Sequence, residues 1–81
     1  MKDTLAIFTR IQNHFGARTR KEMMQRWGEK YGTYKSWVNR GHIPQKRLME
    51  LAEREGLNIA WLEHGVGEKY FNKEGEEIYG R

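Results

Sequence analysis

Residues 19–44 constrain the fold of this chain more than any other segment, and they read TRKEMMQRWGEKYGTYKSWVNRGHIP. Apolar residues recur there at the spacing of two short helices, with Gly28 between them. The outer positions are rich in Lys, Arg, Ser and Asn, so one apolar seam is left for packing. Two short helices with a tight turn and one polar face are typical of a helix-turn-helix. The pattern therefore predicts an all-α fold built around this pair.

The charge of the chain is unevenly distributed. Residues 16–47 hold nine basic and two acidic side chains, a net charge of +7, whereas residues 48–81 hold four basic and eight acidic ones. A charge run alone is usually only a solvated face. Because this basic segment coincides with the predicted helix-turn-helix, it indicates a surface for a polyanion such as DNA.

Apolar periodicity predicts five helices in the chain. They are expected at residues 3–15, 19–27, 33–40, 44–55 and 58–64. Asp3, Thr19 and Asn58 are suitable N-caps, and Pro44 suits the start of a helix. Eighty-one residues form one domain. Its helical body is predicted to span residues 1–68.

A domain of this size buries only about 60% of its unfolded surface, so its core must be compact and rich in large side chains. Helical spacing selects one inward face on each predicted helix. The predicted inward residues are Leu5, Phe8, Ile11, Phe15, Met23, Met24, Trp27, Tyr34, Trp37, Val38, Leu48, Leu51, Ala52, Ile59, Trp61 and Leu62.

Residues 69–81 are predicted to form a tail. Two short β-prone pieces around Asn72 and Gly75 would allow a small hairpin. An isolated hairpin is only marginally stable in water, so a linker or extended segment is the favoured alternative.

The composition argues against several other classes of protein. The chain has no Cys, so neither disulfides nor Cys-based metal sites are expected. No apolar run predicts a signal peptide or a membrane span. No nucleophile–base pattern, paired acid site or phosphate loop indicates an enzyme, and no cofactor is expected. His14, His42 and His64 are predicted to be surface or turn residues rather than metal ligands.

The predicted third helix has one apolar sector, formed by Tyr34, Trp37 and Val38, and an opposite polar sector. Its polar side chains suit a major groove, because Asn can bond adenine bidentately and Lys or Arg can reach guanine. The candidate base contacts are Lys35, Ser36 and Asn39, together with Thr33 and Arg40, which can reach either a base or a phosphate. The candidate contacts to the DNA backbone are Arg18, Arg20, Lys21, Lys30 and Tyr31.

Two segments downstream of the predicted helix-turn-helix carry a family resemblance. Residues 40–44 read RGHIP, and residues 58–67 read NIAWLEHGVG. Together with residues 22–37, they resemble the N-terminal helix-turn-helix domain of temperate-phage CI-type repressors. The resemblance covers roughly residues 4–68. It implies a lambda-repressor-like five-helix bundle that binds an operator and represses transcription in the cytoplasm of a bacterial host.

Three residues depart from the pattern of that family. Met24 stands where a small residue is common, Trp27 where Leu is usual, and Tyr34 where Val or Ile is usual. These large side chains predict wider helix spacing or a rearranged core. The resemblance also implies a C-terminal oligomerisation domain outside these residues. Because one short helix reads too few base pairs for an operator, a homodimer on DNA is expected. That domain, the DNA itself or the aromatic residues of the tail could hold the dimer, and an antirepressor protein is a further candidate partner.

Two other functions fit the same residues. A helical adaptor could present the basic face to an acidic protein, and an activator or excision-type architectural protein could use the same helix-turn-helix. Steeply salt-dependent binding to random duplex DNA would separate a DNA-binding protein from the adaptor. The position of the operator relative to the promoter would separate a repressor from an activator.

Overall fold

Five α-helices follow one another in the computed structural model, which describes residues 3–70. They are α1 (Thr4–Phe15), α2 (Arg20–Trp27), α3 (Tyr31–Arg40), α4 (Gln45–Glu55) and α5 (Ile59–His64). Within residues 3–70, the only β pairing is an isolated antiparallel bridge between Leu57 and Tyr70. The predicted all-α five-helix architecture is confirmed. Residues 71–81 of the tail, for which a linker was favoured over a small hairpin, lie outside the described residues.

Three helices begin at the predicted N-caps. The side chains of Asp3, Thr19 and Asn58 each accept a hydrogen bond from a backbone amide in the first turn, at 3.0–3.2 Å. Each bond satisfies one of the amides that a helix start leaves without an internal partner. Pro44 is the N-cap residue of α4.

The third helix starts earlier than its sequence indicates. It was expected to begin at about Thr33 or Gly32 and begins at Tyr31, one to two residues earlier. Lys30 is the N-cap, and its carbonyl oxygen accepts the amides of Thr33 and Tyr34 at 3.0 and 3.4 Å. Because the Lys30 side chain makes no capping bond, the sequence carries no cap signal at this position.

Four aromatic rings fill the centre of the bundle. Phe8 on α1 is fully buried, and its ring centroid lies 4.8 Å from that of Tyr34 and 6.4 Å from that of Trp37. The rings of Trp27 and Trp37 contact each other across α2 and α3, 5.4 Å apart. Trp27 and Tyr34, both larger than the family pattern predicts, are thus accommodated by packing around one phenylalanine.

The remaining core is aliphatic and includes two residues from the connections between helices. Ile43 and Leu57, which precede α4 and α5, are buried and were not among the predicted core residues. Leu5 was predicted to face inward but is 52% exposed, whereas Ile7 is buried. The apolar stripe of α1 is centred on Ile7, Phe8 and Ile11. At 100° per residue, Leu5 falls outside the edge of this stripe.

Two arginines of α4 hold the second helix and the turn that follows it. Arg54 donates to the carbonyl oxygens of Trp27 at 2.8 Å and Arg26 at 3.1 Å. These carbonyls lie at the C-terminus of α2, where a cation is favoured by the helix dipole. Arg47 forms an ion pair with Glu29 in the turn. The hydrogen bond to Glu29 raises the pKa of Arg47 above its ordinary value.

His14 links α1 to α4 and is not a surface or turn residue as predicted. Its side chain is only 10% exposed, and its Nε2 atom lies 2.9 Å from Oε1 of Glu55. Because a carboxylate can only accept, the ring nitrogen is the donor. The hydrogen bond from His14, aided by one from Arg54, lowers the pKa of Glu55 against the opposing effect of burial.

The lowered pKa of Glu55 predicts a pH-dependent contribution to stability. A carboxyl whose folded-state pKa is depressed stabilises the fold at pH values above its ordinary pKa of 4.5. This stabilisation is lost as the pH falls through the folded-state pKa. We expect Glu55→Gln to reduce the free energy of unfolding by about 1–2 kcal/mol at neutral pH. The difference from the unsubstituted protein should vanish in strong acid. Urea unfolding over a pH series measures both effects.

Glu53→Gln is the matched control for this series. Glu53 is exposed on the same helix and forms no ion pair with another residue in the range 3–70. Its replacement should change the unfolding free energy by less than about 0.5 kcal/mol at any pH. Equal pH profiles for the two variants would mean that His14 does not stabilise the Glu55 carboxylate.

Candidate nucleic-acid interface

The connection between α2 and α3 is a tight turn that fixes the direction of the third helix. Gly28 has a φ of +93°, and a residue with a side chain would be strained in this conformation. The amides of Gly28 and Glu29 both donate to the carbonyl oxygen of Met24, at 3.0 and 2.9 Å. This pairing at the Met24 carbonyl ends α2, and Arg54 satisfies the carbonyls of the two residues that complete the helix. The chain then enters α3 after only Glu29 and Lys30.

The third helix buries one face in the core and exposes the other to solvent. Trp37 is 6% exposed, and Tyr34 and Val38 are half-buried against the core. The other side carries the five candidate base contacts. Lys35, Asn39 and Arg40 are exposed, whereas Thr33 and Ser36 are half-buried. The structure therefore brings all five onto one helix, with the three longest polar side chains the most accessible.

Four of the five candidate backbone contacts are exposed residues, located before α2, in its first turn, and around the start of α3. They are Arg18, Lys21, Lys30 and Tyr31. Arg20, the fifth, is half-buried at the first position of α2. Its guanidinium donates to Gln12 at 2.9 Å and to Thr9 at 3.2 Å, both on α1. Sequence reasoning missed these two partners, because the contacts depend on how α1 packs beside α2.

The acidic residues of the basic segment are both engaged by arginines. Glu22 pairs with Arg26 at 3.3 Å, and Glu29 pairs with Arg47. Seven basic residues of that segment form no ion pair with any acidic residue in the described part of the chain. They are Arg18, Arg20, Lys21, Lys30, Lys35, Arg40 and Lys46. The local acids therefore do not neutralise these seven, and their charge is available to a polyanion.

The start of α2 has the residues of a capping box, Thr19 and Glu22, but differs from the usual arrangement in one hydrogen bond. Thr19 caps the amide of Glu22 at 3.0 Å as predicted, but the Glu22 carboxylate accepts from the amide of Arg18 at 3.1 Å. In the usual arrangement it would reach the amide of the cap residue itself. The loop before α2 is thereby tied to the first turn of that helix.

Within residues 3–70, no group of three or more His, Asp or Glu side chains could hold a metal ion. His42 and His64 are both exposed, in the turn after α3 and at the end of α5. In the same part of the chain, no helix combines the length and the apolar character needed to cross a membrane.

A family model agrees with the arrangement of α2, the Gly28 turn and α3. The model of the bacteriophage CI repressor helix-turn-helix domain matches residues 6–70. The chain belongs to this family. The match confirms the resemblance seen in residues 40–44 and 58–67. No curated protein and no solved structure matched the chain.

Membership in the CI repressor family gives the exposed face of α3 its functional context. The family consists of helix-turn-helix domains of repressors, and such domains bind DNA. The chain is therefore a helix-turn-helix domain of a DNA-binding repressor family.

Proposed function

We propose that this domain represses transcription by binding an operator sequence, with α3 in the major groove of a half-site. The observation that carries the proposal is the placement of Lys35, Asn39 and Arg40. They are exposed on a helix whose opposite face is anchored by buried Trp37, and the unpaired cations lie on the same basic segment. A repressor of this kind would act in the cytoplasm of a bacterial host.

The exposed groups of α3 have the chemistry needed to read base edges. The Asn39 amide can accept from and donate to adenine at once, and the Ser36 hydroxyl can do either. Lys35 and Arg40 can reach guanine or a phosphate, and Thr33 stands nearer the start of the helix. Arg18, Lys21, Lys30 and Tyr31 would fix the orientation through phosphates, as would Arg20.

One copy of α3 is too short to define an operator alone. The helix has ten residues, about 15 Å in length, and base pairs are stacked about 3.4 Å apart. It therefore spans about four base pairs. We infer that two copies bind a two-fold operator with half-sites about one helical turn apart. An antirepressor that relieves repression would be a further partner.

Replacing Asn39 or Ser36 with alanine should remove discrimination between operator and random DNA. Each substitution deletes groups that can pair with a base edge, so we expect a loss of about 1–3 kcal/mol of operator binding. Binding to random duplex should change little. Fluorescence titrations with both DNAs measure the ratio of dissociation constants. An unchanged ratio for Asn39→Ala would remove α3 from the role of reading helix.

Lys30→Ala is the matched control for that measurement. Lys30 is exposed beside the start of α3 and forms no ion pair among residues 3–70. It should weaken operator and random binding alike and reduce the salt slope by about 0.9 for one lost phosphate contact. Arg20 is a poorer control, because its replacement would also break the bonds to Gln12 and Thr9.

Selection of bound sequences from a random duplex pool tests the function as a whole. A selected palindrome would support the operator and the dimer and would give the half-site spacing. A complete lack of salt-dependent binding would favour the adaptor function. A selected site that increases transcription in a promoter assay would favour an activator.

A further inference from the structure

Two tyrosine rings form a stack that runs from the core to the surface of α3. The rings of Tyr31 and Tyr34 lie 5.6 Å apart between centroids, with an angle of 14° between their planes. The inner ring, Tyr34, meets Phe8 edge-on at 4.8 Å. The outer residue, Tyr31, is 40% exposed. Because the inner ring of the stack packs against the fully buried ring of Phe8, the stack has a fixed position in the fold.

The ring of each tyrosine in this stack contacts one cationic side chain. The guanidinium carbon of Arg20 lies 6.0 Å from the ring centroid of Tyr34, and Nζ of Lys35 lies 5.5 Å from that of Tyr31. Both distances are within the range of a cation–π interaction. Arg20 is held further by Gln12 and Thr9 on α1. The stack thereby places two of the seven unpaired cations.

The direction of Lys35 follows from helix geometry. Side chains of a helix lean toward its N-terminus, so a residue can cover the one four positions earlier. Lys35 does this over Tyr31 and carries its ammonium back toward the start of α3. Asn39 lies one turn farther along, in the opposite direction. The ammonium is thus drawn away from Asn39 and toward Tyr31, whose ring stacks on the Tyr34 ring that Arg20 covers.

We propose that Tyr31 and Tyr34 are positioning residues that set Lys35 and Arg20 as a pair of backbone-binding cations, so that Lys35 contacts a phosphate rather than a base. This inference rests on the DNA binding proposed above and refines one of its assignments. The ring face restricts the position of the ammonium while the side chain stays exposed. A long, flexible lysine then loses less side-chain freedom on binding DNA.

The test compares Tyr31→Leu, Tyr31→Phe, Lys35→Ala and the double variant Tyr31→Leu/Lys35→Ala on operator and random duplexes over a salt series. Tyr31→Phe keeps the ring and removes only the hydroxyl, so it is the reference against which the effect of the ring is measured. Tyr31→Leu keeps an apolar side chain without a π face and should bind both DNAs roughly two- to five-fold more weakly than Tyr31→Phe. Lys35→Ala should weaken binding to both DNAs to a similar extent and lower the salt slope by about 0.9. Relative to Lys35→Ala, the double variant should lose no more affinity than Tyr31→Phe loses relative to the unsubstituted protein, because the ring acts through Lys35.

Three results would overturn the inference while leaving DNA binding intact. The first is a ten-fold change in operator preference on Lys35→Ala, which would make Lys35 a base contact. The second is equal binding by Tyr31→Leu and Tyr31→Phe, and the third is independent losses from the ring and from Lys35 in the double variant. If the unsubstituted protein shows no salt-dependent binding, the proposed function fails and the inference fails with it.

A measurement on the free protein checks the geometry without DNA. The ε-methylene protons of Lys35 should be shifted upfield by the Tyr31 ring in an NMR spectrum, and Tyr31→Leu should abolish the shift. A retained shift in Tyr31→Leu would contradict the contact. Both positions are exposed, so neither substitution disturbs the core.

Discussion

Replacing Phe8 with alanine will lower the free energy of unfolding by about 3–5 kcal/mol. Phe8 is fully buried and contacts the rings of Trp27, Tyr34 and Trp37, so its loss leaves a cavity that three rigid rings cannot fill. A chain of 81 residues is expected to have a total stability of roughly 4–12 kcal/mol. The midpoint temperature of thermal unfolding should therefore fall by roughly 15–30 °C.

Leu5→Ala is the matched control on the same helix. Leu5 is 52% exposed, so its replacement should change stability by about 0.5 kcal/mol or less. Urea unfolding of the two variants gives the comparison. Similar losses at the two positions would mean that Phe8 is not the centre of the aromatic cluster.

Replacing Met24 with alanine will destabilise the domain by about 2–5 kcal/mol, although the family commonly has a small residue there. Met24 is fully buried on α2, and the packing that surrounds it is adjusted to its length. Restoring the common residue type would thus create a cavity, not relieve crowding. Chemical unfolding followed by tryptophan fluorescence measures the effect.

Gln25→Ala serves as the neighbouring control for Met24→Ala. Gln25 is exposed on the same helix, and alanine is a good helix former there. We expect a change within about 0.5 kcal/mol. A Met24→Ala protein as stable as the unsubstituted one would show that the bundle closes over the missing side chain.

The parts of the fold that follow from local sequence were predictable. The cap at Thr19 and the turn at Gly28 each depend on a few neighbouring residues, and periodicity correctly placed Trp37 inward. The start of α3 was missed because Lys30 caps it through its backbone alone. Leu5 was misplaced because periodicity gives a stripe but not its centre.

The polar contacts between helices were not predictable from the sequence. His14 and Glu55 are 41 positions apart, and Arg54 reaches carbonyl oxygens 27 and 28 positions away. These bonds form only after the helices have packed, and no motif encodes them. Within the candidate interface, the residue types on α3 were evident in advance. The contacts that hold Arg20 required the positions of the neighbouring helices, whereas Lys35 rests on Tyr31, four positions earlier on its own helix.

The hydrogen bonds from Arg54 to the C-terminus of α2 have a consequence for the kinetics of the proposed DNA binding. The third helix, the proposed reading helix, follows that end after a short turn, and the turn is itself tied to α4 by the ion pair of Glu29 with Arg47. The two helices should therefore meet DNA as one rigid body, with little backbone ordering at the moment of contact. Differences in affinity between related operators should then appear mainly in how long each complex survives, not in how fast it forms.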